Sequence, residues 1–297
     1  MSIRDLFIAI FITFIWGLNF SFIKMGLSSL NPFLLASLRF FFCAIPLVFF
    51  IKPPNISFKY VAAYGLFFGV GLWGILYLGM FYGVSAGVAS ITLNLGVFFA
   101  VIFSFFILKE QIKVHNIIAF ILAFIGIALI FLITDGSVTL LGMLFVILAS
   151  VSLGVIQVIV KKANTKEAFS FLIYSTLFPP IPLFLLAYLT QGEDVITHFA
   201  QSIDTNAIIS LAFQVYPTTL FGYWVWNLLL KKYPVSMIMP ISLLIPIFGL
   251  LGSYIFFAEE IGVYKVLSCL IIILALAINI YGLKLFGKLA LIRKTYT

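Results

Sequence analysis

The chain has 297 residues, of which 64% are hydrophobic, 18% aromatic and only 9% charged, with a mean hydropathy of +1.26. Soluble domains carry about 25% charged residues, so a soluble enzyme, a nucleic-acid binder and a secreted protein are excluded. The formal charge of +8 comes from cations in short segments between apolar runs, which makes it a topology signal and leaves no basic face for nucleic acid.

In chain order, apolar runs cover 6–25, 32–51, 59–81, 85–107 and 115–133, then 139–160, 168–190, 207–229, 236–257 and 264–286. Each is close to the roughly 20 residues that cross a bilayer as a helix, the one open-chain form that satisfies its own backbone in lipid. Polar punctuation separates them, as at Lys52-Pro53-Pro54-Asn55 and Asp135-Gly136-Ser137. The first run has Arg4 in front and ends in Lys24 with no small-x-small cleavage site, so it reads as an uncleaved helix. Cys43 and Cys269 sit inside apolar runs and read as small core residues.

With the amino terminus inside, Arg4, Lys52, Lys59, Lys109, Lys113, Lys161, Lys162, Lys166, Lys231, Lys232, Lys284, Lys288, Arg293 and Lys294 are cytoplasmic. Only Lys24 and Lys265 fall outside, and Arg39 lies within a span. The positive-inside rule therefore puts both termini in the cytoplasm. The longest connection, 191–206, carries Glu193, Asp194 and Asp204 and is external on this count.

The sequence repeats weakly. Lys109-Glu110-Gln111-Ile112-Lys113-Val114 recurs as Ala258-Glu259-Glu260-Ile261-Gly262-Val263, each before an apolar run, and Gly17 to Lys24 is echoed by Gly154 to Lys161. An odd number of spans per copy turns the second copy upside down. The predicted fold is an all-α integral membrane protein of ten transmembrane helices, arranged as two inverted five-helix repeats over 1–134 and 135–297. Such repeats are a transporter architecture with substrate held between them near the midplane.

Polar residues inside spans are expensive and mark function or helix contacts. Arg39 stands out: a central Arg costs at least about 2.5 kcal/mol on insertion scales, and no Asp or Glu lies deep in any run. Either it attracts a substrate carboxylate, or it snorkels outward or bonds carbonyls at a helix end. Asn19, after Trp16 and Gly17, bonds another helix or faces a water-filled path, with Lys24 about a turn beyond; Asn94, Gln157, Gln214 and Asn227 pose the same choice. Tyr223, Trp224 and Trp226 fit an interfacial belt, while Trp16 with Trp224 is the alternative pair to line the path. Pro179, Pro180, Pro182, Pro217, Pro240 and Pro246 interrupt later spans and point to a cavity wall, a hinge or static kinks. Glu110, Glu259 and Glu260 lie at span ends and are candidates for gating or coupling.

There is no Gly-x-x-x-x-Gly-Lys-Ser/Thr loop and no His-Glu-x-x-His. His115 and His198 fall in or beside opposite-facing connections, and no Ser–His–acid set assembles at one depth. No cofactor, no metal and no enzymatic activity are expected. Without a deep carboxylate, exchange or facilitated export is expected ahead of proton coupling.

Trp16-Gly-Leu-Asn-Phe-Ser-Phe-Ile-Lys24 followed by Pro32-Phe-Leu-Leu-Ala-Ser-Leu-Arg39-Phe resembles the start of the ten-helix drug/metabolite transporter superfamily, in its EamA-domain group. Ser85 to Ser90, the turn at Glu110, Gly222-Tyr223 and the stretch from Pro240 through Glu259-Glu260 extend the likeness over nearly the whole chain. Within the group it is most similar to the O-acetylserine/cysteine exporters of bacterial inner membranes, although Leu153 and Gln157 stand where such families often carry Trp and Asn. The resemblance implies an inner-membrane exporter of small zwitterions working by alternating access, as monomer or homodimer. By position it places Trp16, Asn19, Lys24, Arg39 and Asn94 in first-half motifs and Gln157 and Tyr223 in second-half ones. Cysteine and O-acetylserine are the first expected substrates, with aromatic amino acids, nucleobases or drugs as the same-class alternative. A lipid scramblase or membrane acyl-transfer enzyme is the different-class alternative; it would open laterally to lipid.

Overall fold

In a computed structural model the chain is described over residues 1–295, with side chains at all of these positions except 200, 235, 236 and 283–295. The side chains of Lys284, Lys288, Arg293 and Lys294, four of the cations that orient the sequence, lie outside that description. Every regular element among the described residues is helical.

The first half begins with α1 (Ile3–Leu27), one of whose free first-turn N–H groups is met by Ser2, the Oγ accepting from the Asp5 amide at 3.2 Å. Helix α2 (Pro32–Ala44) starts on Asn31, whose side chain accepts from the amides of Phe33 and Leu34, with Pro32 in the first helical position. A 3₁₀ turn, Leu47–Phe49, prolongs it. The next span is one rod in three parts: α3 (Phe58–Leu66), a π-helical segment (Phe67–Gly74) and α4 (Ile75–Phe81). Then α5 (Ala86–Thr92) and α6 (Leu95–Leu108) share a span interrupted at Leu93-Asn94, and α7 (Val114–Ile130) follows.

The second half contains α8 (Leu140–Ala163), then α9 (Ala168–Ser175) and α10 (Pro180–Gln191), separated by a break before the proline pair. Short helices α11 (Asp194–Thr197) and α12 (Phe199–Ser202) occupy the acidic connection. Next come α13 (Thr205–Phe213), a second π-helical segment (Gln214–Phe221) containing Pro217, and α14 (Gly222–Lys232). A final pair comprises α15 (Val235–Ile238), a 3₁₀ stretch (Met239–Leu244) and α16 (Ile245–Phe257), then α17 (Val263–Thr295).

Eight of these stretches among the described residues are long and apolar enough to cross a membrane: Ile3–Leu27, Pro32–Phe49, Phe58–Phe81, Ala86–Leu108, Leu140–Ala163, Ala168–Gln191, Met239–Phe257 and Val263–Gly282. Two of the ten expected spans fall short for different reasons. Helix α7 is apolar but has 17 residues, about 25 Å of rise against a hydrocarbon core of about 30 Å. The rod 205–232 is long enough but carries Gln214, Thr218, Thr219, Asn227 and two terminal lysines, because it supplies much of the polar cluster described below.

Helices cross between the halves at small residues, where backbones approach closely. A Cβ on Gly17 of α1 would lie 2.8 Å from the Phe248 carbonyl carbon and 2.9 Å from the Gly249 nitrogen of α16. A Cβ on Gly154 of α8 would meet Phe99 and Ala100 of α6 at the same two distances. Helix α7 packs along α17. Other local geometry also occurs twice. Helix α8 also ends in the left-handed region, at Asn164 (φ 44°) on an ordinary helical bond, but both α6 and α16 close with a wider bond, on Lys109 (φ 58°) and Ala258 (φ 50°). Their amides bond the carbonyls of Ser104 and Ser253 respectively.

Candidate functional site

Arg39 projects from α2 into a place where α1, the rod 58–81 and the rod 205–232 meet, and it is fully buried. Its Nη1 donates to the Tyr77 hydroxyl at 2.8 Å and its Nη2 to Thr219 Oγ1 at 3.0 Å. The guanidinium carbon stands 4.2 Å from the ring centroid of Trp73, a cation–π distance. Arg39 forms no ion pair among the described residues, and its Nε has no hydrogen-bond partner. It neither snorkels nor binds helix-end carbonyls, as one reading of the sequence expected.

The π-helical segments shape this place. In the second, Thr219 Oγ1 donates to the Gln214 carbonyl at 2.7 Å while accepting from Arg39. The Tyr77 hydroxyl donates to Gln214 Oε1, Gln214 Nε2 donates to Ser210 Oγ at 2.7 Å, and Ser210 donates to the Phe22 carbonyl at 2.6 Å. The extra residue per turn brings Gln214, Thr218 and Thr219 toward the centre; π-bulges of this kind occur often at functional sites. Trp16 Nε1 donates to the Thr218 carbonyl at 3.0 Å. Gly222 permits that approach, since a Cβ there would lie 2.7 Å from Trp16 Nε1.

Around the polar centre runs an aromatic wall. Tyr223 stands 5.2 Å from Trp16 and 6.0 Å from Phe68, and Phe68 is 6.3 Å from Trp73. Several buried polar atoms have no partner: Arg39 Nε, Trp73 Nε1 and Thr218 Oγ1 in this cluster, and both amide atoms of Asn19 a turn beyond Trp16 on α1. Buried polar groups are nearly always paired, so such a concentration needs an explanation.

The structure thus brings Trp16, Arg39, Gln214 and Tyr223 from the sequence reading together and adds Trp73, Tyr77, Thr218 and Thr219; Asn19 is buried on α1, about one turn beyond Trp16. Trp16 packs on Trp226, at 5.0 Å, and not on Trp224, which is 48% exposed. Tyr223 and Trp226 are three residues apart on one helical face, and Trp224 is turned off it. Asn94 sits in the interruption between α5 and α6, its Nδ2 donating to the Ser90 carbonyl at 2.8 Å, so the helix break absorbs its polarity. Gln157 lies exposed on α8. Lys24 is away from the centre, with Nζ 4.5 Å from the Phe257 ring.

A second polar cluster joins the halves at one end. Lys265, only 1% exposed at its side chain, binds Asp135 at 2.7 Å and Glu259 at 2.9 Å and donates to the Glu260 carbonyl at 2.8 Å. Glu259 also accepts from Ser85 and Ser253. Glu260, Asp135 and Lys265 line a pocket of about 310 Å³. Burial would raise the Asp135 carboxyl, but bonds from Lys265 and Ser137 outweigh it and hold the group below its ordinary value. Lys265 had read as an external loop cation and Asp135 as punctuation; the ion pair between positions so far apart in sequence was not visible there. Glu110 instead pairs with Lys161 on an exposed surface. No cluster of His, Cys, Asp and Glu among the described residues could hold a metal.

Eight apolar helices of spanning length among the described residues, packed around a buried guanidinium, define a multi-pass membrane protein. The sequence pattern of the EamA-like transporter family matches residues 4–132 and again 140–281, and the chain belongs to that family. It is 31% identical to a probable amino-acid metabolite efflux pump of Escherichia coli over 96% of this chain and 97% of that protein. It is 30% identical to a protein of the same description from Salmonella typhimurium, at the same coverage, and 29% identical to an uncharacterized transporter of Archaeoglobus fulgidus, over 91% and 96% of the two chains. A solved crystal structure shares the fold with a TM-score of 0.61 at 15% identity, over 94% of this chain and 97% of that one.

Proposed function

We propose that the chain exports small amino acids or related metabolites across a bacterial inner membrane by alternating access, with cysteine and O-acetylserine the first substrates to test. The observation that carries this reading is Arg39, a buried cation with two hydroxyl partners and, among the described residues, no carboxylate and no partner for its Nε. A substrate carboxylate supplies what the protein leaves out. The unpaired amide of Asn19, with Trp16 and Tyr223 beside the centre, completes the proposed site. The two relatives described as amino-acid metabolite efflux pumps support the substrate class.

The proposed frame is ten spans in two inverted repeats, 1–134 and 135–297, with both termini cytoplasmic. It is supported by the twofold match of the family pattern, by the paired crossings at Gly17 and Gly154, by the matching left-handed ends of α6 and α16, each bonded to the carbonyl five residues back, and by the π-helical segment in the third rod of each half. Glu110 and Glu259 follow the two left-handed ends and act as gates at opposite faces, Glu110 through Lys161 and Glu259 through Lys265. Lys24 matches Lys161 in the repeat and sits over Phe257, two residues before Glu259, ready to take over Glu259 when the Lys265 contact opens; Glu260 borders the same end.

The aromatic wall of Trp16, Tyr223, Phe68 and Trp73 favours a second reading in the same class, export of an aromatic amino acid. Counterflow of labelled cysteine, O-acetylserine, leucine, phenylalanine and tryptophan in proteoliposomes separates the two. Uptake of the small pair alone supports the first reading, and uptake confined to phenylalanine and tryptophan the second. Absence of any amino-acid exchange by folded protein contradicts both.

A further inference from the structure

The network around Arg39 has a fixed direction. A guanidinium only donates, so the Tyr77 hydroxyl accepts from it and passes its own proton to Gln214 Oε1. That sets the amide: oxygen toward Tyr77, Nε2 toward Ser210, whose proton goes on to the Phe22 carbonyl. Thr219 likewise accepts from Nη2 and donates to the Gln214 carbonyl. Both branches end on neutral acceptors. The charge on Arg39 is therefore solvated by hydroxyls and an indole face but not neutralised, in a fully buried position. The two groups left over at the guanidinium and its stacking partner, Arg39 Nε and Trp73 Nε1, are both donors without acceptors. Donors around an unbalanced positive charge select an anionic acceptor.

One side chain decides whether that charge stays unbalanced. Gln214 is fully buried, lies one hydroxyl from Arg39 and is isosteric with glutamate. A carboxylate at 214 would accept from Tyr77, and the Ser210 hydroxyl, turned round, would donate to its second oxygen. We propose that Gln214 is the specificity-determining residue of this site: by keeping the relay neutral it leaves Arg39 to be balanced by the substrate, so the site takes solutes bearing a carboxylate and rejects the amines that lack one. This rests on the reading of the Arg39 cluster as the substrate site.

The test is counterflow of two matched pairs, cysteine against cysteamine and phenylalanine against phenethylamine, with wild type and Gln214→Glu in proteoliposomes, each first shown to be monodisperse. Wild type should prefer the amino acid of the transported pair by about 100-fold or more. In Gln214→Glu that preference should narrow by at least about tenfold, through a higher KM for the amino acid at a similar maximal rate, as expected for a charge placed a few ångströms from Arg39. A folded Gln214→Glu that keeps the wild-type preference overturns the proposal while leaving the exporter standing, as does a wild type that takes the amine equally well. Should Gln214→Glu fail to fold, Thr219→Asp puts a carboxylate at Nη2 directly, and an unchanged preference there has the same meaning. Where wild type exchanges a different amino acid, that amino acid and its decarboxylated amine form the pair; wild type that exchanges no amino acid removes the amino-acid site itself, and the role of Gln214 with it.

Discussion

Arg39 has no counter-ion among the described residues, and that fixes what its replacement should do. Removing one partner of a buried ion pair leaves an orphan charge and costs about 3–5 kcal/mol, whereas removing a buried charge without an ion-pair partner leaves no orphan charge and relieves its desolvation cost. Arg39→Gln is therefore expected to reach the membrane and to melt at or above the wild-type temperature. A Tm several degrees lower would mark Arg39 as a structural anchor. Lys265 is the opposite case. It holds Asp135 and Glu259 together with almost no exposure, and Lys265→Met should lower stability by about 3–5 kcal/mol, read as a large fall in Tm. The oddity of Arg39 was legible in the sequence because an arginine in an apolar run is costly wherever it points. Its partners were not, because Tyr77, Trp73 and Thr219 are ordinary residues of membrane helices until tertiary packing places them around one guanidinium.

At the scale of elements, two helices are wound one residue per turn looser in the middle, over Phe67–Gly74 and Gln214–Phe221. Pro217 supports the second, since it has no N–H for an ordinary helical bond, and Gly222 N–H reaches the Pro217 carbonyl five residues back. Pro217→Ala restores the donor and lets the rod settle into α geometry, which turns Thr218 and Thr219 relative to Gly222 and the residues after it. Exchange should fall at least about tenfold in a protein as stable as wild type; full exchange would show that the winding does not position the site. The proline was readable in the sequence as an interruption. The first π segment carries no proline and gave no such sign. The interruption at Asn94 was likewise hidden, and there the Asn94 amide donates to the Ser90 carbonyl at a helix break.

At the scale of the whole molecule, the Asp135–Lys265–Glu259 cluster ties the connection after α7 to the turn before α17. The folded Asp135 carboxyl lies below its ordinary value of 3.8, so its contribution is complete above the unfolded value and is lost as pH falls through the folded one. The Tm difference between wild type and Asp135→Asn should therefore be constant from pH 6 to 8 and shrink below about pH 4. A difference that instead vanished between pH 6 and 7 would contradict this origin. The helical class and the order of the apolar runs were legible because bilayer thickness dictates their length. Two runs depart from the simple span, one by being short and one because its polar residues serve the Arg39 cluster, so the residues that weaken the hydropathy signal are those nearest the proposed function. The pairing of α1 with α16 and of α8 with α6 was not readable, since glycine contacts between distant helices leave no local pattern.

The most direct test of an Arg39-centred exporter is counterflow of a labelled amino acid that wild type exchanges, repeated with Arg39→Gln at equal amounts of folded protein in proteoliposomes. Loss of exchange by about 100-fold or more, with folding intact, is the predicted result. Exchange at the wild-type rate and KM would contradict it and return Arg39 to a role in packing.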